Sequence, residues 1–450
     1  MLAPDRFFDV LIAGGSVAGL ATAAALREFG FSVLVVEPGQ RTERRLAGEL
    51  LHPLGVAALH ELGLFDPEAF VKAMPIQGFA VFPDEGQAAS RIMLTYGKHK
   101  VAASRAMAID FSVFRRNLEN AARRFDHVTF LDDARVAAVD MSDPMSPRIT
   151  VESEGRLQII GCRILVAADG ASSSVRSLVG IEHTRRNIST ISGYVIEGAT
   201  LPAPGFGHVI IGGSSLVLAY EIGGGRARVM FDHPIELEGI ASASHRESLL
   251  GSIPEPLRQQ VAAAMATQKP LIFKSAEVVA HASSLGAAVL VGDAGGSCHP
   301  LTATGMTIGI CDGLRLRDAL RRHPNSLRNA FRHYDRVRRK AQRSRRMVAS
   351  ALHDVCSKRD PELCVIRAGL IRYWRRDARS SSATMAILAM TDDRLVSAFW
   401  QFVKVIRHGL AEHWQTDRTP RLARVGLSAR LVAALGAMTV RRMSASLKAR

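Results

Sequence analysis

No apolar stretch in the sequence reaches the ~18 consecutive residues that a membrane-spanning helix needs, so none is expected. The N-terminal segment MLAPDRFFDVLIAGGSVAGL lacks a basic leader. Its apolar run is therefore expected to be a strand entering a glycine turn, not a signal peptide. Cysteine is scarce: the five residues Cys162, Cys298, Cys311, Cys356 and Cys364 are scattered, odd in number and never spaced as CxxC. That spacing excludes a cysteine-based zinc site and a disulfide framework, and leaves the reduced thiols of a cytoplasmic protein as the expectation. No internal repeat and no low-complexity segment occurs. The sequence also offers neither a catalytic triad nor a metal site.

What is present is a chain of 450 residues with an ordinary apolar share of 47%, long enough for two or three domains and a sizeable core. Its charge is unevenly placed. Residues 315–450 hold 31 of the 58 Lys+Arg and 10 of the 42 Asp+Glu, a net +21, which leaves −5 on the rest. A basic third on a slightly acidic body suggests an anionic surface as partner. Within it, RHYDRVRRKAQRSRR carries no interleaved aromatic residues to stack on bases, so nucleic acid is not expected. The run reads as a solvated basic helix face. The final segment, VGLSARLVAALGAMTVRRMSASLKAR, mixes apolar and basic residues as an interfacial helix does, which suggests peripheral contact with anionic lipid.

Periodicity orders the rest. DVLIAGGSVAGL passes from strand into glycine turn, ATAAALREFG reads as helix and FSVLVVE as a second buried strand, together a βαβ unit. DFSVFRRNLENAARRF is an amphipathic helix, and CRILVAADG a strand ending at a turn. Around 75–100 the pattern loosens into a short sheet excursion. From about 185 to 280, GHVIIGG, SSLVLAYEIGGG and RARVMFDHP are β-rich segments between glycine turns, as in an antiparallel sheet. Everything after 314 reads mostly as helix, with breaks near Pro361, Gly369 and Pro420.

Two stretches carry the chemistry. Gly14-Gly15-Ser16-Val17-Ala18-Gly19 follows a strand and opens a helix, with Glu37 closing the next strand. Glycines there tighten the turn and let the backbone approach a pyrophosphate seated on the helix N-terminus. An acid at the end of the second strand can accept from a ribose hydroxyl. The second stretch, LVGDAGGSCHPLTATGM, is a strand-end Gly-Asp, a glycine loop and a helix start. Small residues of this density form where backbone must come close to a ligand. His299 reads as a structural hydrogen-bonding residue and Asp312 as a helix cap or ion pair, whereas Asp293 is a candidate ligand contact.

With ADGASSSVR (Ala168–Arg176) between them, these motifs resemble the flavoprotein monooxygenase superfamily. HPLTATGMTIGICDGLRLRDAL and RRLAGELLHPLGVAALHELGL are similar to the signatures of squalene monooxygenases. The resemblance implies an α/β fold: a Rossmann-like FAD-binding domain of the flavoprotein hydroxylase type, discontinuous over 1–75, 100–184 and 285–325. It implies an inserted antiparallel β-sheet substrate domain at 76–99 and 185–284, and a basic helical region at 326–450. It implies FAD contacts from Gly14, Gly15, Ser16, Gly19, Glu37, Arg45, Asp293 and Met306, with Pro300 and Gly305 in the loop beside the flavin ring. That loop and the helix it begins are expected to steady the reduced flavin's negative charge through backbone N–H groups.

Five positions depart from the pattern. Phe111 stands where the superfamily has Arg, leaving Arg115 or Arg116 as replacement. Ala303 and Thr304 stand for glycines. His52 replaces Gln and Phe79 replaces Tyr in the family's active-site polar pair, which makes these two the substrate-facing candidates.

The implied activity is insertion of one atom of dioxygen, through a flavin hydroperoxide, into an alkene or electron-rich ring of a hydrophobic isoprenoid, polyketide or prenylated aromatic. NADPH or NADH would reduce the flavin, directly or through a separate reductase. Rival readings are an aromatic-ring hydroxylase of the same superfamily, a flavin-dependent prenyl reductase, and a flavin-free membrane-surface scaffold.

Overall fold

The computed structural model describes residues 7–39, 49–84, 86–97, 105–235 and 243–416, together with 425, 426 and 430. Phe7–Ala13 runs parallel to Val33–Val36 on one side and to Arg156–Ala167 on the other. Val128–Leu131 and Ala288–Leu290 extend this parallel core outward. All four residues of Val33–Val36 are buried. Such unbroken apolar runs belong to strands covered on both faces, where alternation with polar residues would bury unsatisfied groups. The helix Val17–Ala25 covers one face and contacts the helix Gly305–Arg322, so two widely separated parts of the chain close over the same sheet. Ala134–Asp140 and Arg148–Ser153 add an antiparallel hairpin on Arg156–Ala167.

A second eight-stranded sheet runs in the order Gly296–Ser297, Leu271–Ala280, His183–Glu197, Arg226–His233, Leu216–Gly223, Gly207–Ile210, Gly78–Phe82, Ile92–Thr95. Every pair is antiparallel except Gly207–Ile210 with Gly78–Phe82. The excursion near residue 75 thus supplies the two strands at one edge of this sheet. Ala243–Gly251 and Leu257–Thr267 lie toward one of its faces, where Leu249, Leu257 and Val261 join Phe82, Val217 and Phe231 in one apolar cluster.

The other face meets the C-terminal helices. Ile366, Leu370, Trp374, Met385 and Val405 pack with Leu94, Ile191 and Leu218 of the sheet. The basic third of the chain is therefore also a core wall. Pro361 does start a helix, Pro361–Arg376. Gly369 does not break it: a Cβ there would stand 2.3 Å from the carbonyl oxygen of Val405. Gly409 is equally close to the carbonyl oxygen of Val365, so glycine serves close packing of Pro361–Arg376 on Leu395–Thr416. Pro420 lies outside the described residues, as does most of the final segment expected to be interfacial. Among the described residues no helix is long and apolar enough to cross a membrane, and the five cysteines are unpaired.

Candidate functional site

A cavity of about 1580 Å³ runs from the glycine turn to the face of the second sheet. At its first end, strand Phe7–Ala13 stops and the chain turns at Gly14, whose φ of 109° favours glycine. A Cβ on Gly14 would stand 2.6 Å from the carbonyl oxygen of Ala168, and one on Gly19 only 1.9 Å from that of Gly14. The turn is a cradle that side chains would fill. Gly14 and Ser16 line the cavity, while Gly15 donates its N–H to Glu37 Oε2 at 2.6 Å.

Glu37 also pairs with Arg115, Nη2 to Oε1 3.2 Å, and Arg115 Nε reaches the carbonyl of Gly15 at 3.4 Å. Burial raises the Glu37 carboxyl, and Arg115 and the Gly15 N–H oppose the rise. Between the two candidates for the displaced cation, Arg115 is buried at the cavity and Arg116 points to solvent. Phe111 lines the same stretch of wall. Arg45 lies outside the described residues.

Midway, Asp293 sits exposed in the one-turn 3-10 helix Gly292–Gly295 and lines the cavity. This turn is clamped from behind. Arg338 donates from Nη2 to the carbonyl of Gly292 at 2.7 Å, from Nη1 to that of Gly295 at 2.9 Å and from Nε to Asp312 Oδ2 at 2.8 Å. Asp312 accepts in addition from the Gly292 N–H at 3.0 Å and from Arg315 at 2.9 Å. Both Arg338 and Asp312 are essentially without solvent exposure. Asp312 thus pairs, as its sequence context suggests, and through that pair it shapes the turn that presents Asp293.

At the far end, Pro300, Leu301, Ala303, Thr304, Gly305 and Met306 line the cavity. His52 is completely buried and stands behind this loop, not on the cavity surface. Its Nε2 lies 2.8 Å from the carbonyl of Thr302, its Nδ1 2.9 Å from the Tyr96 hydroxyl, and its backbone N–H donates to Thr307 Oγ1. A carbonyl can only accept, so Nε2 carries the proton and Tyr96 donates to Nδ1. Burial lowers the His52 pKa from 6.5 to about 4, keeping the ring neutral. Phe79, by contrast, does line the cavity, with Leu218, Met230, Leu271 and Phe273. At this wall buried Glu49 accepts from Arg228 at 2.6 and 3.0 Å and from the Tyr220 hydroxyl at 3.3 Å.

His299 caps the loop by accepting the Leu301 N–H on Nδ1 at 3.2 Å. Its Nε2 faces Asp232 Oδ1 at 3.2 Å, and His353 Nε2 faces Asp232 Oδ2 at 2.7 Å. These three buried groups converge within 4.8 Å, close enough to suggest a metal site. The Leu301 bond argues otherwise. It leaves the His299 proton on Nε2, aimed at Asp232, whereas a metal-ligating His donates from its distal nitrogen. The cluster ties together one strand of the second sheet, the loop and the helix Leu327–Ser357 by hydrogen bonds. His299 and His353 hold the Asp232 carboxyl well below the usual range against burial, which alone would raise it.

Sequence reasoning missed Tyr96, Asp232, Arg338, Arg345 and His353. One signal was available for the helix residues. Phe331, Tyr334, Arg338, Gln342, Arg345 and Ala349 recur at spacings of three and four and form the buried stripe of Leu327–Ser357. Two arginines in that stripe make it a poor match to an apolar template.

The sequence profile of the squalene epoxidase family matches residues 162–419. Squalene epoxidase erg1 of Aspergillus fumigatus is 27% identical over 383 residues, covering 82% of this chain and 79% of the relative. Squalene epoxidase 3 of Arabidopsis thaliana is 26% identical over 444 residues, covering 94% and 82%. The crystal structure of p-nitrophenol 4-monooxygenase from Pseudomonas putida superposes with a TM-score of 0.72 over 89% of this chain and 99% of that one, at 17% identity.

Proposed function

The chain belongs to the squalene epoxidase family and is an FAD-dependent monooxygenase, and from that premise we propose how its residues hold the cofactor and a hydrophobic substrate. FAD lies along the large cavity. The cradle of Gly14, Gly15, Ser16 and Gly19 fits a pyrophosphate at the N-terminus of Val17–Ala25, and Glu37, fixed by Arg115, fits a ribose hydroxyl. Asp293 serves the middle of the cofactor, and Pro300, Gly305 and Met306 border its ring. Reduced FAD supplies the chemistry that activates dioxygen. The remaining tasks belong to the chain: excluding water, orienting the alkene or electron-rich ring, and compensating charge.

The substrate is an isoprenoid, polyketide or prenylated aromatic, laid against Phe79, Leu218, Met230, Leu271 and Phe273. His52 acts on it only indirectly, by fixing the carbonyl of Thr302. NADPH or NADH provides the electrons, directly or through a reductase. Val396 and Trp400 are exposed on Leu395–Thr416 in the basic third of the chain, which supports peripheral contact with anionic lipid. The observation that carries the proposal is a single cavity joining the glycine cradle to an apolar wall, with the 300–306 loop where they meet.

The test is mass spectrometry of a lipid extract from the source organism, incubated with FAD-loaded protein, a reductant and isotopically labelled dioxygen. A compound gaining one labelled oxygen supports the proposal and names the substrate. A gain of two hydrogens instead would make the protein a reductase.

A further inference from the structure

Arg345 is a further cation at the loop end of the cavity. It sits in the inward stripe of Leu327–Ser357 with 8% of its surface exposed, and it lines the cavity beside Thr304 and Gly305. Its Nε donates to Thr304 Oγ1 at 2.8 Å, while its Nη1 is buried without a hydrogen-bond partner. The Nη2 atom lies 3.7 Å from where a Cβ of Gly305 would stand. Gly305 is the first residue of the helix Gly305–Arg322, whose N-cap Thr304 makes no side-chain capping bond.

Two positive ends therefore meet at one point: a guanidinium and the free N–H groups of an 18-residue helix. Arg338, seven residues earlier on the same face, is fully spent on Asp312 and two carbonyls. Arg345 has one hydroxyl. Among the described residues no carboxylate lies within ion-pair distance of Arg345, although Asp392 and Asp393 share a small cleft with it. An anion in the cavity at this end would meet both the guanidinium and the helix N–H groups.

We propose that Arg345 is the fixed positive charge that holds the negative charge of the reduced flavin ring, an inference that rests on FAD lying in this cavity. The guanidinium is held by the helix and by Thr304, so it stands in place before the charge develops. It would bias the bound flavin toward its reduced, anionic form.

Sulfite is the probe. It adds its lone pair to the oxidised ring, and the displaced electron pair settles as negative charge on the pyrimidine end, so sulfite affinity reads a nearby cation. FAD affinity is measured first, by titration of apoprotein, and sulfite affinity then by bleaching of the flavin band in holoprotein. Arg345→Met and Arg345→Gln are expected to weaken sulfite binding by about tenfold or more and to make the flavin harder to reduce. Arg345→Lys, which keeps the charge and loses the planar fork, is expected to stay within about threefold of the parent.

Unchanged sulfite affinity in the Met and Gln variants would overturn the proposal. So would a Gln variant that behaves like the parent while Lys loses affinity, because Arg345 would then serve only as a hydrogen-bonding spacer. If the Met variant does not fold, Gln and Lys decide by themselves. Parent protein that takes up no FAD would overturn the cofactor placement itself, and this inference with it.

Discussion

The glycine cradle at one end of the cavity takes most of its shape from neighbours in sequence, with Ala168 and Arg115 as its distant contacts. Strand, turn, helix and second strand lie between Phe7 and Glu37, and the reach from the Gly15 N–H to Glu37 spans 22 residues. The loop at the other end is held from afar. His52 grips Thr302 across 250 residues, Asp232 reaches His299 across 67, and Arg345 meets Thr304 across 41. A backbone turn can be encoded locally because glycine's freedom is a property of one residue. A loop of small residues has no rigidity of its own and must borrow it from side chains that the fold delivers.

The largest expected effect falls on the distant support. Arg338→Met leaves buried Asp312 with Arg315 as its remaining ion-pair partner and takes the donor from the carbonyls of Gly292 and Gly295, and is expected to destabilise the protein by about 3–5 kcal/mol in denaturant unfolding. The double variant Arg338→Met/Asp312→Leu should recover part of that loss. No recovery would mean that the two carbonyl bonds of Arg338 matter more than the ion pair.

Next comes pH. The pKa of His52 is lowered from 6.5 to about 4 in the folded protein. The unfolded chain therefore binds this proton more readily, and stability falls as pH drops from about 6.5 to about 4, by up to about 3 kcal/mol. His299 is lowered by burial too, against Asp232, and adds loss in the same direction. Asp232 behaves as a depressed carboxylate, so its contribution holds above the ordinary carboxylate pKa and is lost only at more acidic pH. Unfolding titrations of His52→Gln should show a shallower slope between pH 6.5 and 4. An unchanged slope would remove His52 from the account.

The local end should respond differently. Gly19→Ala places a methyl against the carbonyl oxygen of Gly14. It is expected to lower FAD affinity by about 2–3 kcal/mol with a smaller effect on unfolding, as measured by FAD titration. Gly369→Ala wedges apart Pro361–Arg376 and Leu395–Thr416, at about 1–2 kcal/mol, and should leave FAD affinity nearly intact. Smallest of all is Arg343→Ala. It lies on the exposed face of the helix that buries Arg338 and Arg345, and should shift stability by no more than about 0.5 kcal/mol.

Much of the fold was legible. The βαβ start, the amphipathic helix Phe111–Ala122, the return strand Arg156–Ala167 and the β-rich stretch near 185–280 all follow from apolar period and glycine placement. The basic run at 332–346 was only half legible. Its outer arginines are solvated as composition suggests, yet Arg338 and Arg345 turn inward. Charge counts cannot separate the two faces of one helix. Gly369 misled for a related reason, since glycine marks a helix break and a close helix contact with the same letter.

By itself the sequence determined where glycine leaves the backbone no room for side chains, which segments form the parallel core, and that Asp293 follows the strand Ala288–Leu290 at the entrance to the loop. Only the tertiary structure decided that Arg115 and not Arg116 meets Glu37, that His52 lies behind the loop, and that Asp232 and His353 converge on His299. The first set depends on φ and ψ preferences and on hydrophobic period, which act over a few residues. The second depends on which side chains a buried charge or a buried carbonyl finds within about 3 Å once the sheets and helices have packed.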